Sequence, residues 1–192
     1  MPRLHHRIAR RLGYSLIPDR KNHLELEPHL MHVLDHYAVD AVIDVGANEG
    51  QYGSSLRARG FRGPILSFEP GVHAFGALER TAAGDAAWHT ERLALGAESR
   101  ERTLYVPEES VYASFLPLND RGRAQLGEHS LSEETVTVRR LDEATGPVLP
   151  LSARRMLLKI DTQGFDLEVF AGASGLLERV VALQVELPMQ PL

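Results

Sequence analysis

Acidic side chains stand at or near the ends of four apolar runs in this sequence. They are Asp44 in VIDVG, Glu69 in SFEP, Asp161 in LLKID and Glu186 in LQVEL. If the runs are parallel strands, their carboxyl ends meet at one edge of a sheet, where ligands of open α/β sheets bind. Carboxylates there can accept hydrogen bonds from a sugar diol, receive an ammonium group, or orient and deprotonate a hydroxyl. The pattern indicates a binding site for a nucleoside-like ligand.

The segment VIDVGANEGQY (42–52) narrows the choice of ligand. A dinucleotide-binding turn reads G-x-G-x-x-G and holds a pyrophosphate at the start of a helix. Here Asn48 stands where the second glycine would be, and Glu49 places a carboxylate at the predicted helix start. A pyrophosphate would meet like charge there, and the P-loop pattern is absent too. The turn therefore predicts a ligand without phosphates.

S-adenosylmethionine fits this description, because it joins an adenosine to a sulfonium and an amino-acid tail. We expect Asp44 to receive its ammonium group, directly or through water, and the backbone N–H groups of the 46–48 turn to receive its carboxylate. Glu69 is expected to accept hydrogen bonds from both ribose hydroxyls. Structural roles are the alternatives: Asp44 could cap the turn, and Glu69 could be a solvated strand end before Pro70.

The elements that must position these residues alternate between strands and helices. Strands are predicted at 41–46, 64–70, 87–96, 102–107, 134–141, 155–163 and 180–187, and helices at 28–38, 48–60, 72–82 and 165–179, the last interrupted near Gly172. The runs AVIDV, MLLKI and VVALQV are continuously apolar, which is typical of parallel strands covered on both faces. The order predicts an α/β protein, a Rossmann-like three-layer α/β/α sandwich with a mostly parallel sheet. The 134–141 segment alternates and is predicted to be an exposed or edge strand.

Composition excludes several classes of protein. The 192 residues suffice for one domain with a proper core, and 43% of them are hydrophobic. A net charge of −5 argues against a nucleic-acid binder, and no apolar run reaches the length of about 18 residues that indicates a membrane span. The absence of cysteine excludes disulfides and thiolate zinc sites, and it suits a cytoplasmic location.

Residues 1–40 are interpreted as an N-terminal helical extension. In MPRLHHRIARRLGY an apolar residue recurs every four positions among arginines, which favours a short helix packed on the domain. A mobile lid, or a patch that meets an anionic partner, is the alternative. His29, His32 and His36 fall on nearly one helix face, and we expect them to be solvated or half-buried rather than metal ligands.

At LLKIDTQGFDLEVFAGA (157–173) the sequence resembles a known family. Together with VIDVGANEGQYG, ILSFEP, LALGAESRERTLYV and RRLDEA, this block is similar to the FkbM-type S-adenosylmethionine-dependent methyltransferases. The resemblance runs from about residue 40 to the last residue. It implies a class I methyltransferase core at 41–192 and transfer of a methyl group, usually to an oxygen of a sugar, a polyketide or macrolide product, or another small molecule.

The resemblance also implies site residues. Asp44, Gly46, Asn48 and Glu69 match the donor-binding positions of the family, and Ala47, Pro70 and Leu95 lie within or beside the matching segments. These seven residues form the expected cofactor-binding set.

The sequence departs from the family pattern in two places. Gln163 stands where the family commonly has glutamate, and the sequence stops at VELPMQPL where the family continues. The core is therefore expected to be truncated at its C-terminus, without the last strands of the sheet. An exposed apolar edge would then allow a homo-oligomer to form.

Asp161 is the expected catalytic or acceptor-orienting carboxylate. Lys159, two residues back on the same face of the strand, could pair with Asp161 or Glu186 and hold the carboxylate ionised, so it is the second catalytic candidate. Alternatively, Asp161 caps the helix that begins near Phe165. Asp161 and Glu186 could share a divalent metal, which we do not predict. Ser114 and Tyr112 are guesses for substrate contact that depend only on the expected position of their loop.

The function expected from the sequence is O-methylation of a small hydroxylated acceptor, without nucleic-acid or membrane partners. A non-catalytic remnant of the fold that binds the donor, or a partner, without turnover is the alternative. It is motivated by Gln163 and by the missing strands. An NAD-dependent oxidoreductase is a weaker third possibility, which Asn48 and Glu49 argue against.

Overall fold

The computed structural model describes residues 26–106, 113–115, 132–146, 149 and 152–185. The helices are α1 (Leu26–His36), α2 (Gln51–Ala58), α3 (Val72–Ala82), α4 (Leu141–Thr145) and α5 (Asp166–Ala171), with a 3₁₀ helix at Ser174–Arg179. The strands are β1 (Ala41–Val45), β2 (Ile65–Phe68), β3 (Trp88–Glu91), β4 (Ala94–Leu95), β5 (Arg100–Val106), β6 (Ser132–Arg139), β7 (Met156–Ile160) and β8 (Val180–Val185).

The main sheet has five parallel strands in the order β3-β2-β1-β7-β8. Strand order reverses between β1 and β7, because the chain builds outward from β1 to β3 and then returns to the other side of β1. In open α/β sheets the crevice beyond the carboxyl ends at this reversal is the usual ligand site. The predicted α/β, Rossmann-like fold with a mostly parallel sheet is confirmed.

A second sheet has three strands in the order β4-β6-β5, with β4 parallel and β5 antiparallel to β6. The strand predicted at 87–96 is therefore wrong in its extent, because the chain leaves the main sheet after Glu91 and pairs Ala94 with Val138 in the second sheet. The edge position predicted for 134–141 is also wrong, since β6 is the central strand. Its alternation arises because one face, with Val136 and Val138, is buried and the other is exposed.

Two helices have bounds that differ from the predicted ones or are interrupted. The helix predicted at 48–60 begins only at Gln51, because Asn48 and Gly50 have positive φ angles of 47° and 89°. Such left-handed conformations cannot continue into a right-handed helix. The helix predicted at 165–179 is interrupted at Gly172, as expected, and continues as the 3₁₀ helix.

The chain divides into two compact units, residues 1–36 and 37–192. In the first unit the structure describes α1, whose three histidines are exposed; the rings of His32 and His36 stack with their centroids 5.8 Å apart. No helix among the described residues is long and apolar enough to cross a membrane.

The core of the second unit joins both sheets. Every residue of β1 and β7 is buried, in agreement with their continuously apolar sequences. Ile43 and Ile160 of the main sheet belong to the same apolar cluster as Leu104 and Val138 of the second sheet. Movement of the second sheet would expose this shared surface to water, so burial of apolar area holds the two sheets together.

A close backbone contact joins the second sheet to the end of α5. A Cβ atom placed on Gly172 would lie 2.0 Å from the carbonyl oxygen of Gly96, which follows β4. Next to it, the guanidinium of Arg140 donates to both carboxylate oxygens of Asp142, at 3.0 and 2.6 Å. Asp142 also accepts the N–H of Gly175 at 3.0 Å. Only glycine fits at position 172 in this arrangement.

We predict that Gly172→Ala destabilises the protein by about 3 kcal/mol, because the added methyl cannot be accommodated without moving backbone. The measurement is urea-induced unfolding followed by circular dichroism.

The matched control is Gly76→Ala in α3, where the nearest atom to the added Cβ is the flexible end of Arg80 at 3.6 Å. That substitution should stabilise the protein by about 0.5–1 kcal/mol, because alanine favours a helix. Equal stability of the two variants would contradict the close-contact argument.

Candidate active site

The candidate site lies at the carboxyl ends of β1, β2 and β7, on either side of the strand reversal. The register of the parallel strands places Asp44 of β1 between Ser67 of β2 and Lys159 of β7. Glu69 follows β2 directly and Asp161 follows β7. The structure therefore brings the predicted residues of three strands to one edge, as the sequence indicated.

Lys159 is the centre of a buried ion cluster, which we define as Asp44, Lys159 and Asp161. Its ammonium nitrogen lies 3.0 Å from Oδ1 of Asp44 and 3.5 Å from Oδ2 of Asp161. It also donates a hydrogen bond of 2.9 Å to the carbonyl oxygen of Gly46, and it lies 5.5 Å from the ring centroid of Tyr52. One cation thus connects β1, the turn after β1 and the end of β7.

Burial and the neighbouring charges shift the pKa values of Lys159 and Asp44. Burial lowers the pKa of Lys159, but Asp44 and Asp161 outweigh that effect and hold it above the ordinary value of 10.5. Burial raises the pKa of Asp44 above its ordinary value, against the attraction of Lys159. Lys159 therefore remains charged at neutral pH, and it supplies the positive charge that a buried carboxylate requires.

Asp44 has no exposed surface. Its Oδ2 lies 3.5 Å from the hydroxyl of Ser67, which in turn accepts a hydrogen bond of 3.0 Å from Nε1 of Trp88. The ammonium beside Oδ1 belongs to Lys159 rather than to a ligand, although it makes no aligned hydrogen bond to that oxygen within the described part of the chain. The expected contact of Asp44 with the ammonium of a bound donor stays a prediction; in this structure the ammonium of Lys159 lies beside that carboxylate.

Glu69 is held in place by the backbone on both sides. Its Oε2 accepts the N–H of Asn48 and its Oε1 accepts the N–H of Gly71, each at 2.9 Å. The side chain is buried, and burial raises its pKa while these two hydrogen bonds oppose the shift. Each oxygen keeps a second lone pair for a ligand hydroxyl. Glu69 is therefore not the solvated strand end of the alternative interpretation.

The donors of the turn after β1 are committed to the protein. Gly46 and Ala47 donate their N–H groups to the carbonyl oxygen of Phe68 at 3.0 Å, and Asn48 donates to Glu69. The expectation that these three groups bind a ligand carboxylate stays a prediction, and in this structure each N–H already has an acceptor within the protein. The turn needs glycine at position 46, where φ is 73° and a Cβ atom would lie 1.9 Å from the carbonyl oxygen of Asp161.

Glu49 also differs from its predicted position. It is exposed and precedes Gly50, the residue that caps α2, so its carboxylate is outside the first helical turn. Glu49 therefore lies just before α2 rather than in its first turn. Asn48 remains the departure from the dinucleotide fingerprint.

Asp161 is the partly exposed member of the ion cluster, with 29% of its side chain accessible. Gln163 donates a hydrogen bond of 3.1 Å from Nε2 to Oδ1 of Asp161. The loop after β7 is held by Asp166 instead, whose Oδ1 accepts hydrogen bonds from both the N–H and the hydroxyl of Thr162 at 3.1 Å. The alternative in which Asp161 caps α5 is therefore wrong, and its carboxylate is accessible to a ligand.

The remaining predicted residues have other environments. Leu95 is a buried core residue of the second sheet, and Pro70 is half-buried beside Glu69. Ser114 is buried and donates to the carbonyl oxygen of Gln163 at 2.9 Å, so it holds the loop after β7. Tyr112 and Glu186 lie outside the described residues, and so does the predicted Lys159–Glu186 pair.

Sequence reasoning missed several contributors to the site. Pairing of Lys159 with Asp44 could have been found from the strand order, because β1 and β7 are adjacent. Ser67 lies two residues before Glu69, and this spacing was only a weak indication that Ser67 belongs to the site. Tyr52 donates its hydroxyl to Oε1 of Gln184 at 2.8 Å, and burial raises its pKa above the ordinary value. Nothing in the sequence indicated that contact.

Among the described residues, no group of three or more histidine, cysteine, aspartate or glutamate side chains is arranged to hold a metal ion. A metal shared by Asp161 and Glu186 therefore stays an untested alternative, since Glu186 is not described.

The sequence of residues 44–191 matches the family model for the methyltransferase FkbM domain, which covers more than half of the 192 residues. No match was found among curated proteins. The matched range includes every residue of the ion cluster, Glu69 and the turn after β1. The resemblance drawn from the motifs is thereby confirmed.

We predict that Lys159 titrates above pH 10.5, the ordinary lysine value, because two carboxylates stabilise its charged form. The chain has two lysines, Lys21 and Lys159, so ¹³Cε signals from isotopically labelled lysine give two resolvable curves. The stabilisation that the raised pKa of Lys159 contributes should be complete at alkaline pH just below 10.5 and lost as the pH rises through the higher folded-state pKa.

The Lys21→Arg variant assigns the signals, and Asp44→Asn should lower the Lys159 midpoint by removing one carboxylate. A Lys159 midpoint at or below that of Lys21 would show that the ion cluster does not form.

Proposed function

Because the chain belongs to the FkbM methyltransferase family, we propose that it transfers a methyl group from S-adenosylmethionine to a hydroxyl oxygen of a small molecule. The observation that carries this proposal is the fixed, buried carboxylate of Glu69 beside the turn after β1. Two backbone N–H groups hold its oxygens in place at the carboxyl end of β2. An acidic residue at this point of a Rossmann-like sheet is suited to a ribose diol.

The residues present fit a nucleoside donor on two counts. Glu69 retains accepting capacity for two hydroxyls, and the low-dielectric surroundings strengthen each bond it makes. No side chain caps the start of α2 in the described structure, so its first N–H groups are suited to the carboxylate of an amino-acid tail. We propose that α2, rather than the turn at 46–48, receives that carboxylate.

The chemistry requires an aligned acceptor and a place for its proton. S-adenosylmethionine supplies an electrophilic methyl group on a sulfonium. Asp161 orients the acceptor hydroxyl, and as the oxygen bonds to the methyl carbon its proton passes to the carboxylate. The ammonium of Lys159 lies 3.5 Å from Asp161, and Gln163 fixes the rotamer of Asp161 through the 3.1 Å hydrogen bond. A donor held by Glu69 and the start of α2 would supply the methyl group, and the electrons of its carbon–sulfur bond would remain on the sulfur of the neutral thioether product.

Gln163 favours a second candidate, a donor-binding remnant without turnover. The amide donates to Asp161 and so occupies part of the carboxylate that would serve the acceptor. Both candidates bind the methyl donor, but only the enzyme transfers its methyl group. The experiments below measure donor binding and methyl transfer separately and so distinguish the two. The oxidoreductase interpretation is dropped, since the family match covers the site.

Other predictions remain open. The small hydroxylated acceptor, the cytoplasmic location and the absence of nucleic-acid and membrane partners stay predictions. Association of two copies through the sheet edge also stays a prediction. It is supported by the position of β8 at the end of the main sheet as described, with 47% of Leu183 exposed.

We predict that the protein binds S-adenosylhomocysteine in calorimetry and that Glu69→Gln weakens this binding by about 10- to 100-fold. A hydrogen bond to a charged acceptor contributes about 1.5–3 kcal/mol, which the neutral amide loses. NAD should not bind measurably to either protein.

The control is Glu79→Gln, an exposed glutamate on α3, which should bind as tightly as the original protein. Unchanged affinity in Glu69→Gln, or tight binding of NAD, would disprove the donor site.

We predict that Asp161→Asn lowers methyl transfer by about 100-fold, because general-base assistance contributes about 10²- to 10⁴-fold. Donor affinity should stay within about twofold, since in this proposal Asp161 contacts the acceptor. The assay incubates methyl-labelled S-adenosylmethionine with a panel of sugars and hydroxy acids and with a small-molecule extract.

The control substitution is Glu178→Gln, which is exposed on the 3₁₀ helix and should retain full transfer. Donor binding without any label transfer by the original protein would favour the remnant over the enzyme.

A further inference from the structure

Arg102 is a cation at a core-facing position of the second sheet. It lies on β5 opposite the buried Val136 of β6, and the two-residue period of a strand puts it on the same face as the buried Leu104. The pattern of β5 would place an apolar side chain there. Arg102 is only partly exposed, and a desolvated charge requires compensation by a partner.

The guanidinium of Arg102 rests on two aromatic rings. Its central carbon lies 5.1 Å from the ring centroid of Phe115 and 4.8 Å from that of Phe165. The two rings meet edge to face with their centroids 4.8 Å apart, and both are buried. Ring faces attract a cation but do not neutralise it, and the guanidinium of Arg102 makes no hydrogen bond to a residue that the structure describes.

Two other arginines on or next to the second sheet have carboxylate partners. Arg100, on the same strand, lies 2.6 Å from Glu98, and Arg140 lies 2.6 Å from Asp142. Within the described ranges no carboxylate lies within ion-pair distance of Arg102. A guanidinium held in this way presents a planar fork of donors that matches a carboxylate or a phosphate.

The surroundings of Arg102 connect it to the candidate active site. Phe165 lies in the loop after β7 that also carries Asp161 and Gln163. Ser114, next to Phe115, exchanges two backbone hydrogen bonds with Tyr105 of β5 and donates its hydroxyl to the carbonyl oxygen of Gln163. The cation, its two rings and the loop of Asp161 therefore form one packed unit.

We propose that Arg102 binds an anionic group, a carboxylate or a phosphate, on the acceptor whose hydroxyl Asp161 orients. This inference rests on the proposed function and names its substrate class: a hydroxylated acid or phosphate ester rather than a neutral sugar. The rings of Phe115 and Phe165 fix the guanidinium and exclude water from one side of it. The ion pair with the acceptor supplies the negative charge that no carboxylate of the described residues supplies to Arg102.

The experiment measures anion binding to the full chain saturated with S-adenosylhomocysteine. The probes are inorganic phosphate and glucuronate, with glucose as the neutral comparison, and binding is followed by nuclear magnetic resonance titration. Arg102→Gln should weaken binding of both anions by about 10- to 100-fold, as expected for loss of a charge-assisted fork. Arg102→Lys keeps the positive charge but loses the planar guanidinium. Its affinity for both anions should lie between that of the original protein and that of Arg102→Gln.

Arg100→Gln is the matched control, because it removes a cation from the same strand that already has a carboxylate partner. It should bind both anions like the original protein. Equal losses in Arg100→Gln and Arg102→Gln would overturn the proposal, and so would failure of the original protein to bind either anion. Thermal unfolding checks that each variant is folded; a loss of stability with unchanged anion binding would make Arg102 a purely structural residue.

The same samples separate this inference from the proposed function. Binding of S-adenosylhomocysteine without anion binding that depends on Arg102 overturns the inference and leaves the donor site intact. In transfer assays, Arg102→Gln should raise KM for acidic acceptors and leave kcat and the donor affinity unchanged. If the protein binds anions through Arg102 but binds no methyl donor, the proposed function is wrong. The bound anion could then no longer be assigned to a methyl acceptor.

Discussion

The ammonium group of Lys159 is the interaction on which the site depends. It lies between Asp44 and Asp161 and also bonds to the carbonyl oxygen of Gly46, so β1, its turn and the end of β7 share one cation. Removal of that charge would leave Asp44 buried and uncompensated, which is among the most destabilising changes a core can suffer. The ion cluster therefore fixes the strand reversal and places a positive charge beside Asp161 at the same time.

Close backbone packing gives the rest of the site its shape. Gly46 allows the carbonyl of Asp161 to approach the turn after β1, and Gly172 allows the end of α5 to approach Gly96 of the second sheet. Both approaches bring the loop after β7 near its neighbours. This loop carries Asp161, Gln163 and Phe165, so close backbone packing positions the proposed acceptor side of the site together with the side-chain contacts of Lys159, Ser114 and Asp166.

The sequence predicted the fold well because burial on both faces of a strand is visible as a continuous apolar run, as in AVIDV and MLLKI. It predicted the strand-end positions of Asp44, Glu69 and Asp161, since these depend on strand order alone. It failed where partners are distant in sequence: nothing local shows that Lys159 neutralises Asp44, or that Phe68 takes the N–H groups of the turn. The start of α2 was also missed, because positive φ angles at Asn48 and Gly50 depend on tertiary contacts. Arg102 escaped notice because one charge in an alternating strand is ordinary until its neighbours are known.

The internal hydrogen bonds of the turn after β1 have a thermodynamic consequence. Since Gly46, Ala47 and Asn48 already donate to Phe68 and Glu69, the bend is rigid before any ligand arrives. The turn lost its conformational entropy when the protein folded, so ligand binding does not include a further entropy loss for ordering it. The turn after β1 is thus a preorganised part of the site. Any conformational change on ligand binding must occur in other segments around the crevice.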